Sequence, residues 1–145
     1  MSRPRPSLTP EILSRLADVI WDDELQLEPE DRAPGVTRVI VTVPAQAAMN
    51  RLDAVVGPAG WSYDWTPMPE GVLGRLTVLG VQKTHLGATT AEALVACARR
   101  FGIGAYLEYL PELRAEWLGD RWAHGRPRWE QKALFAALEK AGAPN

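Results

Sequence analysis

Residues 61–87, "WSYDWTPMPEGVLGRLTVLGVQKTHLG", constrain the fold more than any other stretch of the chain. Trp61, Tyr63 and Trp65 alternate with polar residues, the period of a strand with one face turned to a core. "PMPEG" makes a turn, and "VLGRLTVLGVQKTHLG" supplies one long strand or a bent pair, with Gly74 and Gly80 marking bulges or close backbone approach. Strands that follow one another through short turns form an antiparallel meander. Its apolar face must be covered by other elements.

The flanking sequence supplies those elements. Thr9-Pro10-Glu11 reads as N-cap, first-turn proline and acidic first turn, and Ile12, Leu13, Leu16, Val19 and Ile20 continue at helical spacing, predicting a helix over 10–20. Leu25 and Leu27 mark a short edge-like strand stopped by Pro29, "DRAPG" a turn, and "VTRVIVTV" (36–43) a strand. Met49, Leu52, Val55 and Val56 share one face of a helix from Ala45 to Val56, ended by Gly57-Pro58. Thr89 or Thr90 caps a helix running to about Arg100, with Leu94, Ala98 and Phe101 inward. A short helix is expected after Pro111, and a last one over roughly 128–141 with Leu134, Phe135 and Leu138 inward. The expected fold is α+β, with a meander packed against helices and extra N- and C-terminal helices. It forms a single domain over 9–141, behind a flexible N-terminus (1–8) and before a loose C-terminal end.

Several function classes are excluded at this level. The 145 residues, 46 % hydrophobic and 23 % charged, have the balance of a folded chain with a real core. No apolar run approaches the roughly eighteen residues of a membrane span, and no apolar segment follows Arg3 and Arg5 as in a signal peptide, so a soluble intracellular protein is expected. Cys97 is the single cysteine, leaving no internal disulfide and no cysteine-clustered metal site, and it reads as a small buried apolar residue. His85 and His124 fit no metal-ligand spacing. "FGIGAYL" (101–107) imitates a dinucleotide fingerprint but lacks its third glycine and follows a helix. No catalytic residue, metal or cofactor is expected, and the chain reads as a non-enzyme.

The net charge of −2 rules out coating nucleic acid by bulk charge, but the charge is unevenly placed. "DDELQLEPED" (22–31) holds six carboxylates and no base; "RWAHGRPRWEQK" (121–132) sets Arg121, Arg126, Arg128 and Lys132 against Glu130. Such a pair of patches steers a polyanion to one side of the molecule, or pairs head to tail between subunits. Trp122 and Trp129, interleaved with those arginines, are candidates for stacking bases. Equally, Trp117, Trp122 and Trp129 staple the last elements onto the core while the arginines face water. Trp61 and Trp65 read as sheet core. Arg99-Arg100 closes a helix, where cations are favoured by about 0.3–1 kcal/mol each whether or not they bind anything.

Three motifs occur in order: "RLDAVVGPAGWSYD" (51–64), "GRLTVLGV" (74–81) and "ARRFGIGAYLEYLP" (98–111). Together they resemble the Rad fifty-two superfamily of single-strand annealing proteins, in particular its bacterial DdrA-like branch, over roughly 36–112. The resemblance implies a β-β-β-α core, a ring-like homo-oligomer, and single-stranded DNA held in a basic groove without nucleotide or metal. It also implies annealing or protection of DNA ends in break repair, in the bacterial cytoplasm at the nucleoid. It places the family's Lys-Arg pair at Val95 and Ala96, and a further basic position at Gln46. Arg99 and Arg100, with Lys83 and Arg75 on the neighbouring strand, become the expected DNA contacts, and Arg121 to Lys132 a second or replacement surface. Replacing Arg99 and Arg100 together by alanine is expected to weaken DNA binding at little cost in stability. The alternative is a diverged member that keeps the oligomerising fold, has lost DNA binding, and serves as a structural or protein-interaction component.

Overall fold

A computed structural model describes residues 7–20 and 22–142; residues 1–6 of the expected flexible N-terminus and the end of the chain, 143–145, lie outside the described residues. In chain order the elements are α1 (Pro10–Leu16), β1 (Gln26–Pro29), β2 (Gly35–Thr42), α2 (Ala45–Val56), β3 (Trp61–Met68), β4 (Gly71–Val78), β5 (Val81–Gly87), α3 (Thr90–Arg100), β6 (Arg114–Trp117) and α4 (Gln131–Gly142). The fold is α+β, with two antiparallel three-stranded sheets ordered β1-β2-β6 and β3-β4-β5.

Local chemistry accounts for most of these boundaries. Thr9 caps α1 by accepting from the Ile12 N–H at 3.1 Å. Thr89, rather than Thr90, caps α3 in the same way through the Glu92 N–H at 3.1 Å; each cap contributes about 1 kcal/mol. The 72–87 segment is a bent pair. Leu79 (φ 47°) and Gly80 (φ 84°) form its two-residue turn, both in the left-handed region that right-twisted hairpins require. Leucine is costly there, but its N–H bonds the Gly60 carbonyl at 2.9 Å and its side chain packs on the core.

The β3-β4-β5-α3 unit is closed by glycines. A methyl group at Gly87 would lie 2.5 Å from the Ala93 nitrogen and 2.7 Å from its Cα, and at Gly74 it would lie 2.8 Å from the Tyr63 hydroxyl. Helix and sheet touch backbone to backbone at Gly87. Gly87→Ala is therefore expected to push α3 off β5 and cost about 1–3 kcal/mol, read as a lower urea midpoint at unchanged slope. The core beneath joins Leu16, Leu52, Leu76, Val78, Cys97, Phe101 and Ile103. Burial raises the Cys97 thiol above its ordinary range, ahead of any other influence. The folded protein should thus resist a thiol reagent at neutral pH and react only once unfolded.

Five expectations need correction. Helix α1 stops at Leu16 instead of reaching Ile20, because the carbonyls that follow are taken by a side chain from α2 (below). The segment after Pro111 is strand β6, paired with β2 from Gly35↔Trp117 to Arg38↔Arg114, while a 3-10 turn at Ala105–Tyr109 precedes it. The C-terminal extension is accordingly a strand followed by one helix. That helix begins at Gln131, and its buried residue is Ala137; Phe135, expected inward, is 59 % exposed. Trp65 is 49 % exposed, because the space over its cross-strand partner Gly74 is filled by Tyr63 and Ala93, whereas Trp61 packs against the core.

Candidate nucleic-acid interface

The residues of the three motifs turn out to hold the fold together. Arg51 donates from Nη1 to the carbonyls of Arg15 (3.3 Å), Leu16 (3.0 Å) and Asp18 (2.8 Å), and from Nη2 to Val19 (2.6 Å). It thereby satisfies carbonyls at and beyond the end of α1, of which that of Arg15 also accepts from the Asp18 N–H at 3.5 Å. Leu52 is fully buried, and Asp53 accepts from the Trp61 indole N–H at 2.8 Å. In the third motif Phe101 is buried and Gly104 takes the left-handed φ of 76°. The buried Tyr106 hydroxyl meets the N–H (3.1 Å) and carbonyl (3.3 Å) of Ile20.

Beyond Val39, whose N–H bonds the Leu113 carbonyl at 2.8 Å, the β6 side of β2 has no neighbouring strand among the described residues. An open groove of about 1290 Å³ lies there, between β2 on one side and α3 with the Ala105–Tyr109 turn on the other. Val41, Val43, Val95, Ala96, Leu107 and Leu110 give it apolar walls; Arg38, Arg99, Arg100 and His85 bring positive or titratable groups, and Glu92, Glu108 and Glu112 bring carboxylates.

Arg99 and Arg100, adjacent in sequence, do different work. Arg99 Nη2 pairs with Glu108 Oε1 at 2.6 Å along one wall of the groove, both side chains well exposed. Arg100 Nη1 donates to the Thr84 carbonyl at 2.8 Å on edge strand β5. Lys83 Nζ donates back to the Arg100 carbonyl at 2.8 Å and sits 4.9 Å from the Phe101 ring centroid. Lys83 and Arg100 therefore clasp the end of α3 to β5.

Arg75 does not join them. The register sets Leu76 beside Lys83 and Arg75 beside Thr84, so Arg75 points to the opposite face of the sheet. There it is paired with Asp64 and donates to Thr66 Oγ1 at 2.6 Å.

The C-terminal residues are also spread apart. Trp129 lines the groove, its indole N–H bonded to the Pro111 carbonyl at 2.8 Å. Trp122 instead packs edge-on against Trp117, centroids 5.0 Å apart at 70°. Arg126 Nη2 donates to the Leu25 carbonyl at 2.6 Å, and Arg121, Arg128 and Lys132 lie exposed outside the groove. Three carboxylates of the acidic 22–31 stretch are used locally: Glu28 pairs with Arg32 at 3.1 Å, Glu30 with Arg38 at 3.6 Å, and Asp31 accepts from the Ala33 N–H.

Sequence reasoning missed Arg38 and Glu108 as groove residues. Arg38 carried a signal, since it interrupts the apolar run of its strand at a face-out position; Glu108 carried none. Gln46, exposed on α2, donates to Asn50 at 2.9 Å and does not line the groove. Among the described residues no group of three or more His, Cys, Asp or Glu side chains is placed to hold a metal ion, and no helix is long and apolar enough to cross a membrane.

Comparison with known proteins finds relatives over part of the chain. It is 37 % identical over 94 residues to the single-stranded DNA-binding protein DdrA of Deinococcus radiodurans, covering 54 % of this chain and 45 % of the relative. It is 36 % identical over 94 residues to the protein of the same name from Deinococcus deserti, covering 54 % and 46 %. The chain thus spans under half the length of either relative, and neither name describes an enzyme. No family model and no solved structure matches it.

Proposed function

We propose that this chain binds single-stranded DNA along the groove between β2 and α3. Arg99 is the main phosphate contact and Trp129 an aromatic surface for a base. The observation that carries this is the co-location of Arg99, Arg38 and Trp129 in one open groove of a chain whose relatives are named as single-stranded DNA-binding proteins. The apolar groove walls fit the faces of unpaired bases, and exposed guanidinium groups fit phosphates. Lys83, Arg100 and Arg75 are occupied in the fold and are secondary; Arg121, Arg128 and Lys132 offer a separate, weaker electrostatic surface. Membership of the Rad fifty-two superfamily, ring-like self-association, and annealing or end protection at the bacterial nucleoid belong to the same proposal. The ordered motifs support them.

A specific feature favours a second reading. The positions where the resemblance puts a Lys-Arg pair are Val95 and Ala96, and they form apolar groove wall. A chain that keeps the fold and binds protein instead would look like this.

Anisotropy titration of a labelled single-stranded oligonucleotide, at several salt concentrations and against a duplex, separates the two. Submicromolar, salt-sensitive binding that prefers the single strand is the expected result. No binding at low salt would leave the protein-interaction reading.

A further inference from the structure

Two of the groove's exposed arginines, Arg38 and Arg99, already have carboxylate partners, while Arg100 is held by the Thr84 carbonyl. Arg38 Nε lies 3.6 Å from Glu30 and 4.0 Å from Glu112, and Arg99 is held by Glu108 at 2.6 Å. Glu108 stands out among these acids. It sits in the Ala105–Tyr109 turn, which is fixed by the buried Tyr106 hydroxyl on Ile20 and by Gly104 at positive φ. Its backbone is thus held in place, and its carboxylate occupies the guanidinium edge that a phosphate needs.

We propose that Glu108 is an affinity-setting residue of the groove. It competes with DNA phosphate for Arg99, and a strand binds only by exchanging one anion for the other. The inference rests on the DNA-binding reading above. A carboxylate and a phosphate oxygen accept the same forked N–H donors, so the exchange needs no rearrangement of Arg99. Because both side chains are solvent-exposed, the internal pair is weak enough to be displaced. Once displaced, Glu108 remains near the strand and repels it. Wild-type affinity is therefore held below what the groove's arginines alone would give.

The test compares wild type, Glu108→Gln, Arg99→Ala and the double variant, titrating the same single-stranded oligonucleotide at low salt. Glu116→Gln, an equal charge change on β6 away from the groove, is the control. Glu108→Gln should bind about two- to fivefold tighter than wild type, with Glu116→Gln much closer to wild type. In the Arg99→Ala background, Glu108→Gln should recover distinctly less, because its target is gone. Binding by Glu108→Gln alone, with none by wild type, would support the same role in stronger form. If Arg99→Ala weakens binding while Glu108→Gln changes nothing, or gains no more than Glu116→Gln, the competition is overturned and the DNA-binding reading stands. If no variant binds at all, both fall.

Discussion

Arg51→Met is expected to lower the free energy of unfolding by about 2–4 kcal/mol, among the largest losses available from one side chain outside the apolar core. Methionine keeps the aliphatic stem, so the change removes the donors with little loss of packing. The carbonyls of Leu16, Asp18 and Val19 then lose this donor together, while that of Arg15 keeps the Asp18 N–H at 3.5 Å. Single hydrogen bonds to a charged group are worth about 1.5–3 kcal/mol, but these four share one guanidinium and do not add. Lysine should recover only part of the loss, because one ammonium cannot span carbonyls that the planar fork reaches from two nitrogens. Urea unfolding monitored by tryptophan fluorescence reads the effect directly. A loss below about 0.5 kcal/mol would mean that water replaces the guanidinium without penalty, and that Arg51 does not end α1.

That arginine also shows why some of the fold was legible and some was not. Helix α2 was delimited at both ends, because Pro44, the apolar face and Gly57 at φ 79° act within a few residues of one another. The hairpin β4-β5 was open to either outcome until the positive φ values at Leu79 and Gly80 settled it. The end of α1 was not legible: Ile20 continues the helical spacing, but Arg51 and Tyr106 pull residues 18–20 out of the helix from far along the chain. Strand β6 was missed for the same reason. "ELRAEW" has a composition at home in a helix, and only the open edge of β2 makes it a strand. Trp65 and Phe135 look like core residues by type and period, yet they stay exposed, Trp65 because Tyr63 and Ala93 fill the space over Gly74 and Phe135 because Ala137 is the residue of α4 that is buried.

The motifs that carried the resemblance were informative about fold because their residues bond to the fold. Asp53 to Trp61, Arg51 to α1 and Tyr106 to Ile20 all join parts of the chain that must meet. None of these residues faces the groove. Other residues of the third motif, Arg99, Leu107, Glu108 and Leu110, do line it, so the resemblance indicates the architecture and one wall of the groove, which departs from the family pattern at Val95 and Ala96.

The adjacent pair Arg99-Arg100 is where sequence and structure part most usefully, and single substitutions should separate its members. Arg99→Ala is expected to weaken binding of single-stranded DNA about five- to tenfold at low salt and to reduce the slope of log K against log salt by about 0.7, one phosphate contact on a single strand. Stability should barely change, since an exposed pair such as Arg99–Glu108 is worth about 0.2–1 kcal/mol. Arg100→Ala should do the reverse. Its guanidinium covers the Thr84 carbonyl on the open edge of β5, while Lys83 holds its own carbonyl from the other side. Removing it breaks half of that clasp, costs about 1–3 kcal/mol and leaves affinity within about twofold of wild type, because its guanidinium is held on Thr84 and is a secondary group of the groove. The double substitution, expected from sequence to be nearly silent in stability, should therefore show the Arg100 loss. A stable Arg100→Ala with weakened DNA binding, beside a fully active Arg99→Ala, would move the phosphate contact from one arginine to the other and detach the DNA path from Glu108.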